Sequence, residues 1–332
     1  KRPYMRVRLA SDLHLECQTS EADVLRVIDR VVGGGEGGDV LVLAGDVGLP
    51  RQPHYAAILA RAAQRFRHVC VVAGNHELYA KSHVHEDSIR RCRERCEEAG
   101  PNVHFLHSSH VDIDGIRFIG TTLWSDVSES DAAFLVARMN DYAFIKHYVP
   151  NVRSGDKMKA CVKPVNVLEW HRAQLAWLER ALAEAAPRPT VVVTHHPPLQ
   201  AQGPFAGAYG TDLTPLMAAN PHLRLWMYGH THQAMDAKHG NCRVVSNPFG
   251  YPSEGESEYR PDLVVSLSEE GGAEPTRSDL SSTPVTFEQR AWAFKAASTT
   301  WGDDAGRSSS SSSSFAPRVV GMCVPSERPW LQ

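Results

Sequence analysis

No apolar run in this sequence approaches the ~20 residues that a transmembrane helix requires. The first residues, Lys1-Arg2-Pro3-Tyr4, also lack the apolar segment of a secretory signal peptide. Both absences argue against a membrane-spanning or secreted protein. We therefore expect a cytoplasmic location and no membrane partner.

An excess of charge of one sign is missing as well. The formal net charge is −3, and the sequence contains no run of basic residues. Proteins that bind long nucleic acids rely on many contacts from lysine and arginine to phosphates, so the composition argues weakly against a nucleic-acid polymer as partner. The apolar fraction of 42% and the charged fraction of 22% are typical of a globular protein. The oligomeric state cannot be read from these properties.

Closely paired cysteines are also absent. The seven cysteines are odd in number and scattered, and only Cys92 and Cys96 are close, at a spacing that fits one face of a helix. This pattern favours reduced thiols in a reducing compartment over a disulfide framework. A chain of 332 residues can bury a core that needs no disulfide to stay folded.

The first third of the chain alternates short apolar runs with segments of helical periodicity. Strands are predicted at 6–11, 39–43 and 68–72, and helices at 21–32 and 54–66. This order predicts a buried parallel sheet with right-handed crossovers, in which ligands bind at the carboxyl ends of the strands. Polar residues follow each of these strands, namely Asp12 and His14, then Asp46, then Asn75 and His76.

The remainder of the chain contains a second set of elements and then changes in composition. Apolar runs predict a hairpin at 111–119, a helix at 168–182, and strands of a second sheet at 190–193, 223–227, 244–245 and 263–267. Residues 125–165 lack a clear period and are predicted to be a cap or insertion within a main domain of residues 1–270. Residues 271–332 include seven consecutive serines, which bury nothing, and are predicted to be a low-complexity, partly disordered extension.

Five short polar patterns occur in one order along the chain. They are Asp12-Leu13-His14, Gly45-Asp46, Gly74-Asn75-His76-Glu77, His195-His196 and Gly229-His230-Thr231-His232. The third is the most specific, because Gly-Asn-His followed by an acid is expected by chance only about 0.003 times in a chain of this composition. Chance therefore does not explain all five together.

The residue types in these patterns are those of a metal site. Asp, Asn and His supply oxygen and imidazole ligands that suit manganese, iron or zinc. Both residues of Asp12-x-His14 are expected to point to one side, because side chains alternate along a strand. The carboxylate of Asp46 follows a glycine at a tight turn and can bridge two cations. None of the patterns contains a thiolate, so a structural zinc site of the cysteine type fits poorly.

These patterns resemble the defining sequence blocks of the calcineurin-like metallophosphoesterases, and the resemblance covers roughly residues 5–268. Segments 11–16, 120–126, 194–198 and 247–251 are similar to a bacterial-type branch of that family whose substrates are mostly undefined. The resemblance implies an α/β fold, a four-layer sandwich in which two mixed β-sheets are flanked by helices. It also implies that residues 1–270 form a catalytic domain.

The same resemblance implies a ligand set for two divalent or trivalent metal ions (manganese, iron or zinc). The first ion would be held by Asp12, His14 and His232, the second by Asn75, His195 and His230, and both by the bridging Asp46. His76 would be the catalytic residue, lying beside the phosphate. Glu77 would orient a histidine, and His196 would support the ligands from behind.

The implied function is hydrolysis of a phosphomonoester or phosphodiester by a hydroxide that bridges the two metal ions. His76 would stabilise the phosphate charge or protonate the leaving group. Two alternatives remain open, a non-catalytic scaffold module of the same fold and a nuclease that acts on polymeric nucleic acid. The complete ligand set favours an enzyme over the scaffold.

Departures from the family pattern bear on the substrate. After Gly45-Asp46 the chain continues Val47-Gly48-Leu49-Pro50, without the acid and the arginine of the protein phosphatases. The usual acid that orients His76 is therefore missing, which argues against phosphoprotein substrates. Leu49 stands where the purple acid phosphatases have a tyrosine ligand. We expect a small soluble phosphoester, such as a nucleotide or a cyclic nucleotide diester.

Residues 125–165 are predicted to overhang the metal ions and to set specificity, with a surface insertion remote from the site as the alternative. The segment contains cationic residues for phosphate and aromatic residues for stacking, namely Arg138, Lys146, Arg153, Tyr142, Phe144 and Tyr148.

Overall fold

The computed structural model describes residues 4–33, 38–80, 82–152, 154–201, 203, 205–255 and 258–268. The predicted C-terminal extension at 271–332 and its boundary lie outside these residues, as does Arg153. Within the described part, no helix combines the length and hydropathy needed to cross a bilayer, and the cysteines that it contains are free thiols.

The strands are short, and they range from strands that are buried along their whole length to strands with mostly exposed residues. They are β1 (Tyr4–Ala10), β2 (Val40–Ala44), β3 (His68–Val72), β4 (Val103–Phe105), β5 (Ser109–Ile113), β6 (Ile116–Thr121), β7 (Lys146–Pro150), β8 (Lys157–Cys161), β9 (Thr190–Thr194), β10 (Leu223–Tyr228), β11 (Met235–His239), β12 (Cys242–Ser246) and β13 (Val264–Ser268).

Helices lie at the three places where helical periodicity predicted them, 21–32, 54–66 and 168–182, and also at places where the sequence analysis predicted none. They are α1 (Glu21–Ile28), α2 (Pro53–Arg65), α3 (His85–Ala99), α4 (Ala132–Arg138), α5 (Asp141–Phe144), α6 (Pro164–Ala185), α7 (Ala206–Tyr209) and α8 (Thr214–Ala219). The side chain of Ser20 accepts the N–H of Asp23 at the start of α1, and Pro53 supplies the preset backbone angle at the start of α2.

Two mixed sheets contain most of the described strands. One has the order β13-β1-β2-β3-β4, and the other the order β11-β12-β10-β9-β6-β5. Strands β1 to β4 run parallel, as do β6, β9, β10 and β12. The sequence assigned 263–267 to the second sheet, and this was wrong, because β13 pairs antiparallel with β1 in the first sheet. An apolar run identifies a strand but not its partner, which is set by long-range pairing.

Side-chain alternation along the strands divides the core into layers. On β2, Leu41 and Leu43 pack towards α1 and α2, whereas Val40 and Val42 pack against the second sheet. Trp226 on β10 belongs to a third cluster, which lies between the second sheet and α6 and α8. The expected sandwich of two mixed sheets flanked by helices is therefore confirmed.

Residues 125–165 form an addition that follows β6 and runs into the first turn of α6. The segment contains α4, α5 and a two-stranded sheet in which β7 pairs with β8. Its apolar residues join a fourth cluster, in which Leu135, Tyr142 and Ile145 pack with Leu78 and Trp124. This cluster holds the segment beside the loop that follows β3.

Candidate metal centre

The parallel strands of both sheets end at one edge, where the five polar patterns meet. Asp12 follows β1, Asp46 follows β2, Asn75 follows β3, His195 follows β9 and His230 follows β10. Ser11 bridges to Pro248 at this edge, so the two sheets are joined directly beside the site. The meeting of strand ends brings together residues that lie far apart in sequence.

The backbone at this edge adopts a conformation that L-residues seldom take. The φ angles are 54° at Asp12, 43° at His14, 53° at Asp46, 72° at His230 and 53° at His232. Non-glycine residues in this left-handed region carry strain and cluster at functional sites. The strand-alternation argument for Asp12 and His14 was therefore wrong: both side chains reach one site through left-handed turns after β1 has ended.

Three of the predicted ligands form a first group. Nε2 of His14 lies 3.0 Å from Nε2 of His232, and Nε2 of His232 lies 3.6 Å from Oδ1 of Asp12. The backbone N–H of His230 donates to the same Oδ1 of Asp12 (2.8 Å). Asp12 and His14 are both fully buried, so their ligand atoms face one another rather than solvent.

The predicted ligands Asn75, His195 and His230 form a second group, whose side chains also lie close together. Nε2 of His195 lies 3.0 Å from Oδ1 of Asn75 and 3.2 Å from Nδ1 of His230. Nδ1 of His195 lies 3.0 Å from the backbone oxygen of Ala44. If this nitrogen carries the proton and donates it, Nε2 is left unprotonated and available as a ligand.

Asp46 lies between the two groups. Its Oδ2 is 3.8 Å from Nε2 of His14 and 3.5 Å from Nε2 of His195. Its Oδ1 accepts the backbone N–H of His76 (2.9 Å), which fixes the orientation of the carboxylate. Oδ2 of Asp46 therefore faces both groups of predicted ligands.

The glycines of these patterns make close approach possible. A Cβ atom on Gly74 would overlap Oδ1 of Asp46, and one on Gly229 would lie 2.7 Å from Oδ2 of Asp12. No larger residue fits at either position without displacing a carboxylate. The two glycines are thus part of the packing of the site.

The distances and charges fit metal ions. Ligand atoms about 2.1 Å from one ion lie about 3.0–3.4 Å from each other, close to the separations found within the two groups. Burial would raise the pKa of Asp46, but the neighbouring His195 and His76 hold it well below its usual range. Burial lowers the pKa of His195, whereas Asp46 raises it to about 10. The buried carboxylate of Asp46 thus stabilises positive charge beside it, and bound cations would supply that charge.

His76 is held at both ring nitrogens by residues to which the sequence analysis gave no role. Nδ1 of His76 donates to Oε1 of Glu16 (2.8 Å), and Nε2 lies 2.8 Å from the hydroxyl of Tyr251. Glu16 also lies 3.3 Å from Nδ1 of His14. An acid that orients His76 is therefore present, but it comes from the loop after β1 rather than from the loop after β2. Burial lowers the pKa of His76, whereas Asp46 and Glu16 raise it to about 9.

Two further residues contact predicted ligands from the side away from the ligand groups. Oε2 of Glu254 lies 2.8 Å from Nδ1 of His232, and Oδ1 of Asp141 accepts a hydrogen bond from Nδ2 of Asn75 (2.9 Å). The ring of Tyr251 stacks on His14, with centroids 4.1 Å apart. Glu16 and Tyr251 both lie in segments that resemble one branch of the family, which was the available signal. Asp141 carried none.

The prediction that Glu77 orients a histidine was wrong. Its buried carboxylate accepts three backbone N–H groups, from Asp46 (3.0 Å), Val47 (2.8 Å) and Gly74 (2.7 Å). Glu77 therefore joins the loops that follow β2 and β3. His196 lies outside both ligand groups: its ring packs on His230, with centroids 4.1 Å apart, and its Nδ1 faces the backbone oxygen of Thr122.

The predicted substrate-binding residues of the 125–165 segment differ in their burial and in their contacts. Tyr142 is buried in the core of the segment, and the guanidinium of Arg138 lies over the ring of Phe134. Phe144 contacts Tyr79, with ring centroids 5.6 Å apart, whereas Tyr148 is 43% exposed. The contact between Asp141 and Asn75 rules out an insertion that is remote from the site.

The chain is similar in sequence to known proteins over much of its length. A family model described as calcineurin-like phosphoesterase matches residues 5–234. An uncharacterised protein of Acanthamoeba polyphaga mimivirus, L509, is 25% identical over 270 residues, which cover 75% of this chain and 92% of that protein. A stretch of 79 residues is 34% identical to the 3′,5′-cyclic adenosine monophosphate phosphodiesterase CpdA of Escherichia coli K12, covering 23% of this chain and 29% of CpdA.

The fold also has a counterpart among solved structures. Phosphopantetheinyl hydrolase (PptH) from Mycobacterium tuberculosis superposes with a TM-score of 0.59 at 19% identity, over 80% of this chain and 96% of that chain. At this level of identity the likeness shows a shared fold.

Proposed function

The chain belongs to the calcineurin-like phosphoesterase family, and from this premise we propose that it hydrolyses a small soluble phosphoester at a centre of two metal ions. The observation that carries the proposal is the position of Asp46, whose Oδ2 lies within 3.8 Å of a ligand nitrogen in each of the two groups. A single shared carboxylate between two buried sets of ligands is the arrangement that a dinuclear centre requires.

Each group of residues has a distinct task in this proposal. Asp12, His14 and His232 would hold one ion, and Asn75, His195 and His230 would hold the other. When bound, such ions lower the pKa of water to give a nucleophile at neutral pH and neutralise the charge on phosphoryl oxygens. The residue types suit manganese, iron or zinc, and availability in the cell would decide among them.

His76 is proposed to act on the substrate directly. Its Nδ1 is engaged by Glu16, so Nε2 is the ring atom that can reach a phosphoryl oxygen or the leaving group. A proton held at Nε2 would stabilise developing charge on either oxygen. In the structure the hydroxyl of Tyr251 lies next to Nε2 of His76. We propose that this hydroxyl turns towards the substrate when a phosphoryl group binds.

The proposed substrate is a nucleotide or a cyclic nucleotide diester. The stretch that is 34% identical to a cyclic adenosine monophosphate phosphodiesterase supports a diester of this size, although it spans only a quarter of the chain. The protein phosphatases have an arginine after Gly45-Asp46 that this chain lacks, which argues against phosphoproteins. Their acid at the same place is also absent, but Glu16 supplies an acid that holds His76. The near-neutral charge argues weakly against a nuclease of polymeric nucleic acid.

A substrate panel tests the proposed class. The full-length protein, loaded with Mn²⁺, is assayed on p-nitrophenyl phosphate, its bis ester, cyclic nucleotides, mononucleotides and single-stranded DNA, with chelator-treated protein as control. We expect turnover of a small ester that is lost on chelation and restored by Mn²⁺. Cleavage of DNA with little action on small esters would favour the nuclease, and no turnover of any substrate would favour the scaffold module.

Replacing Glu16 by Gln should lower kcat by about 10–100-fold, the usual effect of removing a residue that orients a functional histidine. Glutamine keeps the shape of the side chain but loses the charge that holds Nδ1 of His76 and faces His14. The matched control is Glu21→Gln, since Glu21 is an exposed acid on the neighbouring helix α1. Steady-state kinetics on the best ester checks this prediction, and a Glu16→Gln variant with the kcat of the control would contradict it.

A further inference from the structure

The short helix α5 brings an acidic residue of the 125–165 segment into the metal centre. Asp141 is the first residue of α5 and is only 4% exposed. Its Oδ1 accepts hydrogen bonds from Nδ2 of Asn75 (2.9 Å) and from the hydroxyl of Tyr79 (2.5 Å). A buried carboxylate is costly unless it is hydrogen-bonded, and these two donors satisfy it.

The amide of Asn75 has two different faces, and only one of them can bind a cation. Oδ1 of Asn75 lies 3.0 Å from Nε2 of His195, on the side of the second group of ligands. Nδ2 donates to Asp141 and to the hydroxyl of Tyr79 (3.0 Å) on the opposite side. An ionised carboxylate only accepts hydrogen bonds, so Asp141 favours Nδ2 on its own side and leaves Oδ1 towards the ligands.

We propose that Asp141 is a positioning residue for the second metal ion, which it serves by fixing the orientation of the Asn75 amide. The inference rests on the proposed function, because it takes Asn75 to be a ligand of that ion. It assigns a role in the centre to the 125–165 segment, which otherwise contributes none of the seven ligands. The segment would thereby orient one ligand of the second group, in addition to lying beside that group.

The contact between α5 and the loop after β3 is continuous. The backbone N–H of Ala80 donates to the backbone oxygen of Phe144 (3.1 Å), and the ring of Tyr79 lies against both Phe144 and His76. Tyr142 and Ile145 are buried with Leu78 in the same cluster. This packing fixes α5 relative to Asn75 tightly enough for one side chain to set the orientation of another.

The first test is Asp141→Asn. Metal-free protein is titrated with Mn²⁺, and the dissociation constants of both ions are measured by calorimetry, with Asp156→Asn as control because Asp156 is an exposed acid of the same segment. We expect the affinity for the second ion to fall by about 10–100-fold, as for other residues that orient ligands, while the first ion binds as in the wild type. Wild-type affinity for both ions in a folded Asp141→Asn protein would overturn the inference.

A reversal of the pair gives a second test, in which Asp141→Asn is expected to strengthen metal binding, a result that poor folding cannot produce. Asn75→Asp places two carboxylates face to face, which weakens the site by like-charge repulsion. Adding Asp141→Asn to that variant restores a hydrogen bond of opposite direction. We expect the double variant to bind the second ion about tenfold more tightly than Asn75→Asp alone, a gain of about 1.4 kcal/mol. The same Asp141→Asn change weakens binding in the wild type, so the two substitutions are not additive.

The outcomes separate this inference from the proposed function. Wild-type protein that binds fewer than two ions would contradict both. Two ions in the wild type, together with additive effects of Asn75→Asp and Asp141→Asn, would contradict only the role of Asp141.

Discussion

Asp46→Asn is expected to remove tight binding of both metal ions and to lower activity at limiting metal by about 10²–10⁴-fold. The carboxylate faces both ligand groups, and the loss of a paired buried charge costs about 3–5 kcal/mol, which corresponds to that range. Oδ1 of Asp46 accepts the N–H of His76, and the oxygen of an asparagine can still do so. The fold should therefore survive, and elemental analysis of the purified variant should show the loss of metal.

Glu77→Gln is the matched comparison, because Asp46 and Glu77 are both buried acids at the edge of the sheets where the strands end. The Glu77 carboxylate holds the N–H groups of Asp46, Val47 and Gly74. A glutamine would turn an NH₂ group towards one of these donors and leave it unsatisfied, at a cost of about 1–3 kcal/mol. We therefore expect Glu77→Gln to lower the melting temperature and to reduce activity less than Asp46→Asn. Equal loss of activity and metal in both variants would contradict the bridging role of Asp46.

His76→Ala is expected to lower kcat by about 10²–10⁴-fold, the range for loss of a group that donates a proton or stabilises charge in the transition state. Metal content should stay at the wild-type value, since neither ring nitrogen of His76 belongs to the two ligand groups. His110 is exposed on β5, and His110→Ala is the matched control for the change of residue type. Kinetics and metal analysis on the same preparations check both parts of the expectation.

A loss of metal in His76→Ala would contradict the proposal that His76 acts on the substrate and does not bind metal. His76, His14 and Glu16 lie close enough together that they could hold a cation themselves. The variant would then lose bound metal along with activity.

The sequence predicted the candidate ligands more readily than the residues that hold the ligands and His76 in place. Polar residues at the ends of parallel strands meet at one edge whatever the details of the loops, so Asp12, Asp46 and Asn75 could be placed together in advance. The partners Glu16, Tyr251 and Glu254 depend on how loops from different strands pack against each other. Those contacts have no periodic signal, and neither does the contact of Asp141 with Asn75.

The errors in the fold have the same origin. Apolar runs located β13 to within one residue but gave no information on its pairing with β1. Alternation along a strand was extended to Asp12 and His14, although β1 ends at Ala10 and the next residues turn through the left-handed region. Period-two patterns describe a strand only as far as its hydrogen bonds continue.

Titration of the metal-free wild-type protein with Mn²⁺, with bound metal and ester hydrolysis followed in the same sample, tests the central claim most directly. The shared position of Asp46 predicts that the rate rises steeply as the second ion binds and is constant once two ions are bound per chain. Full activity with one ion or with none would contradict a dinuclear centre. Two bound ions without hydrolysis of any ester in the panel would contradict the assignment of this protein as an enzyme.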